Sequence, residues 1–548
     1  MQTTSSAPRW PYAVSGALAA TAGTAAGHLV AAAVNPAASP VVAVGATVVD
    51  ATPTPVKEWA VSTLGTADKP VLLASVAVVT LLASAGIGLL ARRHRTPALV
   101  LLGVLTVLAA AAALARPTST PADVLPALAA AAVGVTVLHL LTGAADRASA
   151  PAADLGAEHT GTKRGGIGDE AGKPAQGPAA SPLEGTAYEA GARPTPARRT
   201  FLVGAAGTAA AAAAGLALGQ KLGANPPLPT AADLPKPTTM LPALPTGLDQ
   251  KVPGISAFRT PVGSFYRVDT SLIVPRVNPD DWALEIDGNV ANPFRLSYAE
   301  LLALPMVERD ITMTCVSNEV GGGYVSSARW LGVRVRDLLE RAQIKDGVDQ
   351  ILSTSTTGFT ISTPVQALTD DRDALVAVAM NGQPLPAQHG FPARLVTPGL
   401  YGFVGSTKWV TRLTATTYAK EQAYWTERGW ATTAPVLTQS RIDTPRGLDT
   451  VKAGRTVPIG GVAWAQGRGI RKVEVRVDDG AWMTATLGPD AGIDYWRQWY
   501  VPWTPSGSGR HTLTVRATDN DGQLQPQART DPFPKGATGW HSVVVLVG

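Results

Sequence analysis

Apolar residues are spread so unevenly along these 548 residues that the chain reads as two halves with different solvents. Five apolar stretches, at residues 12–34, 70–90, 97–115, 124–143 and 201–219, each approach the ~20 residues that cross a bilayer as a helix. The first and fifth are rich in Ala and Gly; the middle three are dense in Leu and Val. The last 300 residues have the composition of an ordinary globular protein and hold eleven of the thirteen tryptophans. The net charge of +5 is small for this length, and no basic stripe interleaves with aromatics, so nothing argues for nucleic acid as a partner.

The loops set an orientation. Arg92, Arg93, His94 and Arg95 separate the second and third stretches, which places that loop in the cytoplasm by the positive-inside rule. Residues 35–69, without arginine, then face outward. Residues 1–143 read as a four-helix membrane region. Residues 144–200 return inside as a Gly/Ala/Pro/Ser-rich linker carrying Arg147, Lys163, Arg164, Lys173, Arg193, Arg198 and Arg199. Ala197-Arg198-Arg199-Thr200-Phe201-Leu202 resembles a twin-arginine export signal opening the fifth span, 201–219; the alternative is a plain charge flank. Everything beyond it is expected on the extracytoplasmic side of a multi-pass protein of the cell membrane. Residues 220–254, with seven prolines from Pro226 to Pro245, read as a semi-rigid tether that holds the outer domains off the bilayer.

Cys315 is the chain's one cysteine. One thiol forms no intramolecular disulfide, and it supports neither an iron–sulfur cluster nor a cysteine-rich zinc site. It can be an inert buried thiol, a nucleophile, or the single protein ligand of a soft metal centre. Residues 311–315 have strand character and Gly321, Gly322 and Gly323 follow, so the sulfur is expected at a strand end beside permissive backbone. Nearby, residues 282–288 alternate like a half-buried strand, and Ser297 with Glu300 forms the signature of a capped helix start.

An ordered series of motifs runs through this region: Thr314-Cys315-Val316-Ser317-Asn318, Ala328-Arg329-Trp330-Leu331-Gly332-Val333, Met380-Asn381-Gly382-Gln383-Pro384-Leu385-Pro386, His389-Gly390-Phe391-Pro392-Ala393-Arg394, and Lys408-Trp409. The series resembles the molybdenum-cofactor domain of the sulfite oxidase family, and the resemblance implies an α+β cofactor domain at residues 255–430. It implies molybdenum bound by the Cys315 thiolate and a molybdopterin held by His389, Arg394 and Lys408, with Ser406 and Thr407 as neutral donors. Tyr266, Arg267, Asp269 and Thr270 would line the pterin from the other side, and Asn318 would lie near the metal as a catalytic neighbour. The chain departs from the animal and plant enzymes at Asn318-Glu319-Val320-Gly321, where their pocket arginines are absent. Sulfite is therefore not the expected substrate, and sulfoxide reduction stays open beside it.

Residues 431–548 alternate apolar and polar positions in short runs, as at 471–477, 512–517 and 542–547, separated by turns such as Asp478-Asp479-Gly480. That pattern reads as an all-β sandwich. It is similar to the immunoglobulin-like domain that follows the cofactor domain in the same family, which implies a homodimer contact. No haem is expected: His28 and His139 lie within spans but, at about 1.5 Å per residue, near opposite faces of the bilayer. Nor is an iron–sulfur cluster. The overall expectation is a membrane-embedded molybdenum oxidoreductase facing outward, transferring an oxygen atom on a small or protein-bound sulfur or nitrogen compound, with a separate electron partner. The alternative is an exported binding protein without cofactor.

Overall fold

A computed structural model describes residues 8–149, 196–223, 229–269 and 271–548. Most of the expected linker at 144–200 lies outside the described residues. So does Thr270. The helices of the N-terminal half are α1 (Trp10–Val34), α2 (Pro40–Ala51), α3 (Thr54–Leu64), α4 (Asp68–Ala91), α5 (Arg95–Leu114), α6 (Leu125–Ser149) and α7 (Pro196–Leu222). All but α2 and α3 are long and apolar enough to cross a membrane by length and composition. The chain forms two compact units.

The first unit takes its described residues from 1–30, 77–108 and 125–219, and so contains most of α1, α4, α5, α6 and α7. The Gly and Ala content of α1 is a packing device. A Cβ at Gly16 would run into the Ser84 carbonyl, and one at Gly88 into the Tyr12 carbonyl, so α1 and α4 cross backbone to backbone. Asp146 near the end of α6 accepts from the Tyr12 hydroxyl at 2.5 Å and pairs with Arg95 at 2.6 Å.

The second unit contains residues 31–76, 109–124 and 220–548. Its cofactor-type region is built from β1 (Ala283–Gly288), β2 (Phe294–Ser297), β3 (Val307–Thr314), β4 (Val325–Arg334), β5 (Gln350–Ser355), β6 (Thr360–Pro364), β7 (Leu375–Met380), β8 (Gln383–Pro384), β9 (Arg394–Val396) and β10 (Val410–Thr416). They form two sheets, ordered β2-β1-β10-β5-β6 and β3-β4-β7-β8, with β9 pairing to β7. Both bury one face on a common core that includes Leu284, Ile286, Ile311, Met313, Trp330, Leu375 and Val396. Short helices α8 (Tyr298–Leu302), α9 (Val335–Ala342), α10 (Val365–Thr369) and α11 (Gly402–Gly405) connect the strands. The Ser297 hydroxyl accepts from the Glu300 N–H at 3.3 Å while the Glu300 carboxylate accepts from the Ser297 N–H at 2.8 Å, the reciprocal cap read in the sequence.

The C-terminal strands are β11 (Gln439–Thr444), β12 (Thr450–Val451), β13 (Val457–Trp464), β14 (Ile470–Val477), β15 (Met483–Thr484), β16 (Thr486–Leu487), β17 (Arg497–Trp503), β18 (Gly509–Asp519) and β19 (His541–Val547). They form sheets β11-β13-β17-β16 and β12-β19-β18-β14-β15, which share a core around Ile459, Val473, Trp499, Val515 and Val545. A further apolar cluster joins this sandwich to the cysteine-bearing region through Phe258, Val316, Tyr401, Trp464, Tyr495 and Trp496.

The proline-rich stretch departs from the free-standing tether expected of it. The Thr238 N–H donates to the Met306 carbonyl at 2.8 Å, the Leu241 N–H to Glu308 at 3.1 Å, and Arg329 to the Pro242 carbonyl at 2.7 Å. Prolines cannot donate to a ladder, but Thr238 and Leu241 between them can, so the segment lies docked along the edge of β3.

Candidate active site

Cys315 is the first residue beyond β3. Its N–H donates to the Tyr324 carbonyl at 2.9 Å, and its carbonyl accepts from the Asn318 N–H at 3.1 Å. These two bonds fold residues 315–324 into a closed loop. Burial pushes the thiol pKa up, and hydrogen bonds from Ser317 and the Val316 backbone pull it part-way back. Donors aimed at the sulfur favour the thiolate, the form that ligates metal.

Asn318 completes the loop. Its Oδ1 accepts from the Tyr324 N–H at 2.8 Å and its Nδ2 faces Gln439 at 3.4 Å, on β11 of the sandwich. The side chain is fully buried and is not part of the cavity wall onto which Cys315 opens. The structure thus gives Asn318 a positioning place in the loop, not the catalytic one expected, because its amide is committed to backbone closure.

The cationic residues meet on the other side of the cavity. His389 ends a short turn (Ala387–His389) and Arg394 opens β9, so the bend between them sets imidazole and guanidinium together. Arg394 Nη1 donates to the His389 carbonyl at 3.1 Å, and its guanidinium lies 5.2 Å from the Trp330 ring. Its polar contacts are backbone carbonyls, not a carboxylate. Burial lowers its pKa to about 10. Burial, with the Arg394 charge beside it, lowers that of His389 to about 4, so the imidazole is neutral near pH 7. Lys408 contacts Asp269 and donates to the Gln388 carbonyl at 3.3 Å. Burial, then Lys69, then Arg267, hold Lys408 well below the usual ammonium range. Arg267 pairs with the same Asp269 at 2.5 Å.

Tyr266 lines the cavity beside Cys315 and stacks on Phe265 with ring centroids 5.4 Å apart. Burial, reinforced by the neighbouring Cys315, raises its hydroxyl pKa. Ser406 reaches the cavity wall. Thr407 does not: in the segment between α11 and β10, its hydroxyl meets that of Ser353 on β5 at 2.6 Å, which removes it from the cavity donors expected. Of the expected residues, Cys315, Tyr266, Asp269, His389, Arg394, Ser406 and Lys408 share one cavity of about 1320 Å³.

Sequence reasoning missed the opposite wall. Val49, Val56 and Trp59, from the stretch read only as an outward loop, and Leu72, from the start of the second apolar span, line the cavity with Phe403, Trp425 and Phe533. Lys69, the last residue of that loop, also lines the cavity but on its cationic side, 3.9 Å from Asp269. The one available signal was length: a loop of 35–69 is long for a simple connector and apolar for a solvated one.

Comparison with known proteins decides the kind of domain. The model of the oxidoreductase molybdopterin binding domain matches residues 271–425. Human mitochondrial sulfite oxidase is 30% identical over 331 residues, covering 50% of this chain and 59% of that protein. Residues 271–425 form a molybdopterin-binding oxidoreductase domain of the sulfite oxidase type. Nitrate reductase [NADH] 1 of Oryza sativa subsp. japonica is 27% identical over 334 residues, covering 49% of this chain and 36% of that protein. The solved sulfane dehydrogenase SoxCD from Paracoccus pantotrophus is 24% identical over 52% of this chain and 80% of that one, with a TM-score of 0.44. The chain thus spans 59% of the human relative's length.

The site's donors fit a molybdopterin. A single thiol opens to the cavity, as one soft ligand requires. Lys408 and Arg267 both pair with one buried carboxylate, Asp269, and Arg394 lines the same cavity as Lys408 with only backbone carbonyls for polar partners, a cationic surplus suited to a phosphate and a dithiolene. The volume exceeds the ~300–1,000 Å³ of a pocket for one drug-sized ligand, leaving room for a substrate beside the cofactor.

Proposed function

We propose that this chain is a membrane-anchored, outward-facing molybdenum-cofactor oxidoreductase that transfers an oxygen atom to or from an organic sulfur compound, exchanging electrons with a separate partner. The observation that carries this reading is the meeting of the Cys315 thiol with Arg394 and Lys408 in one cavity, with Arg267 paired to the Asp269 that lines it. The cofactor, when bound, supplies a two-electron redox metal able to exchange oxygen with substrate. The chain's own residues supply the rest. Cys315 would hold the metal and keep its place through the Asn318-closed loop. Arg394, Lys408 and Arg267 would neutralise the cofactor's anionic groups, and neutral His389 would give a hydrogen bond without adding charge. Tyr266, kept protonated by its surroundings, is placed to donate a hydrogen bond near the sulfur.

The topology reading rests on loop membership. Residues 35–69, the loop expected outside, fall in one compact unit with residues 220–548, while the arginine-bearing 91–95 turn falls in the other. A homodimer through the C-terminal sandwich belongs to the same proposal.

The substrate reading rests on the walls. Residues 316–324 carry no arginine, and Arg329, which could have replaced one, is held by Asp310 at 2.7 Å and by the Pro242 carbonyl at 2.7 Å. Aromatic residues dominate instead: Trp59, Phe403, Trp425, Trp430 and Phe533. A small dianion needs desolvated cations, whereas an organic sulfoxide or thioether gains from apolar contact. Steady-state kinetics of the purified chain test this, comparing sulfite plus an artificial acceptor with aryl and alkyl sulfoxides plus a reduced dye. We expect the sulfoxides to turn over and sulfite to be poor. Sulfite oxidation near ~10⁵ M⁻¹s⁻¹ in kcat/KM, as a dedicated enzyme shows, contradicts it.

A further inference from the structure

One of the cations at the cofactor side of the cavity comes from outside the cofactor domain. Lys69 is the second residue of α4, directly after the loop that contains α2 and α3. Its Nζ donates to the Ser271 carbonyl at 2.8 Å and stands 3.9 Å from Asp269 Oδ2. Asp269, with its side chain 1% exposed, is also the partner of Arg267 and of Lys408. Three basic side chains therefore surround one buried carboxylate, and with Asp68, partly exposed beside Lys69, bases still outnumber acids before Arg394 is added. A half-buried lysine brought into an existing cationic cluster raises the free energy of the fold, unless an anion completes the arrangement.

Resting on the molybdopterin reading above, we infer that Lys69 is a cofactor-anchoring residue: the loop between the first two apolar helices completes the binding site for the cofactor's terminal phosphate. Asp269 acts as the hub that spaces Lys69, Arg267 and Lys408 around the phosphate oxygens. The N-terminal helices are then more than an anchor, since a residue in the first turn of α4 forms part of the pocket. The loop reaches the cofactor only when both lie on the same side of the membrane, so export of a loaded domain precedes closure of the site.

The test uses the full-length chain purified in detergent, with molybdenum measured by mass spectrometry and pterin by fluorescence after oxidation. Both are followed over time after dilution. The variants are Lys69→Ala, Lys69→Arg, Lys69→Met and, as a charge control at an exposed surface position, Lys345→Ala. Lys69→Ala and Lys69→Met should lose cofactor roughly tenfold faster than wild type, as loss of a charge-assisted contact implies. Lys69→Arg should retain most of the wild-type lifetime and Lys345→Ala all of it. Lys69→Met preserves side-chain length and covers the case in which Lys69→Ala does not fold, which tryptophan fluorescence reports. If both uncharged variants hold molybdenum and pterin as long as wild type does, the inference is wrong. The same retention with a raised KM for an anionic substrate also overturns it, and moves Lys69 to the substrate. A wild-type chain without molybdenum would instead overturn the functional reading beneath it.

Discussion

Cys315 is poised between two opposing effects, burial that favours the thiol and donors from Ser317 and Val316 that favour the thiolate. A metal at the sulfur would settle that balance, because ligation deprotonates a thiol outright. Arg394 shows the complementary arrangement: a buried guanidinium with only carbonyls for partners, stable when an anion arrives. The two residues should therefore fail differently. Cys315→Ser should abolish turnover while keeping most of the pterin, since buried contacts to phosphate and ring carry the binding. Arg394→Ala should lower pterin and molybdenum content together, because it strands buried anionic oxygen at a cost of several kcal/mol. Measuring both contents beside activity separates them; equal pterin loss in the two variants would contradict the assignment.

At the scale of elements, the loop from Cys315 to Tyr324 is held by the sandwich as much as by its own sheet. Gln466 donates to the Thr314 hydroxyl at 2.9 Å and Arg441 to the Gly322 carbonyl at 2.8 Å. His541 Nδ1 accepts from the Ile442 N–H at 3.0 Å, and its ring fills the space where a Cβ on Gly321 would fall. Gly321 also has φ of +85°, so Gly321→Ala should destabilise the second unit by about 1–3 kcal/mol. The accepting nitrogen requires a neutral imidazole, and burial lowers the His541 pKa from 6.5 to about 4. The unfolded chain binds that proton more readily, so this contribution is complete above about pH 6.5 and is lost as pH falls toward 4. Thermal melting followed by tryptophan fluorescence should show a lower Tm near pH 5 than near pH 7, and His541→Gln should flatten the difference. An unchanged slope in that variant would place the titration elsewhere. Much of this architecture was legible in the sequence, because local signals are strong there: the strand before Cys315, the Ser297–Glu300 cap, and the alternation in β14, β18 and β19. The directions of Asn318 and Thr407 were not, and neither was the docking of residues 238–242 along β3. Spacing tells which face a residue is on, but not which distant backbone group will satisfy it. Lys69 was illegible for the same reason, being about two hundred residues from its partners.

Across the whole molecule, the division of charge among the loops agrees with the division of the chain into two units, an agreement that neither observation required of the other. The outward reading gives the Arg198-Arg199 pair a role beyond charge. Arg198→Lys combined with Arg199→Lys keeps the positive flank but removes a twin-arginine signal. A topology reporter placed after residue 260 should then stay inside while the first four apolar helices insert normally; a reporter that still appears outside would reduce the pair to a flank. All of these readings depend on one cofactor. The most direct measurement is the molybdenum and pterin content of the full-length chain, purified from a host that makes molybdopterin. The account predicts about one molybdenum and one pterin per chain, as a resident cofactor requires. A folded, correctly inserted chain that carries neither would contradict it and leave the exported binding protein as the reading.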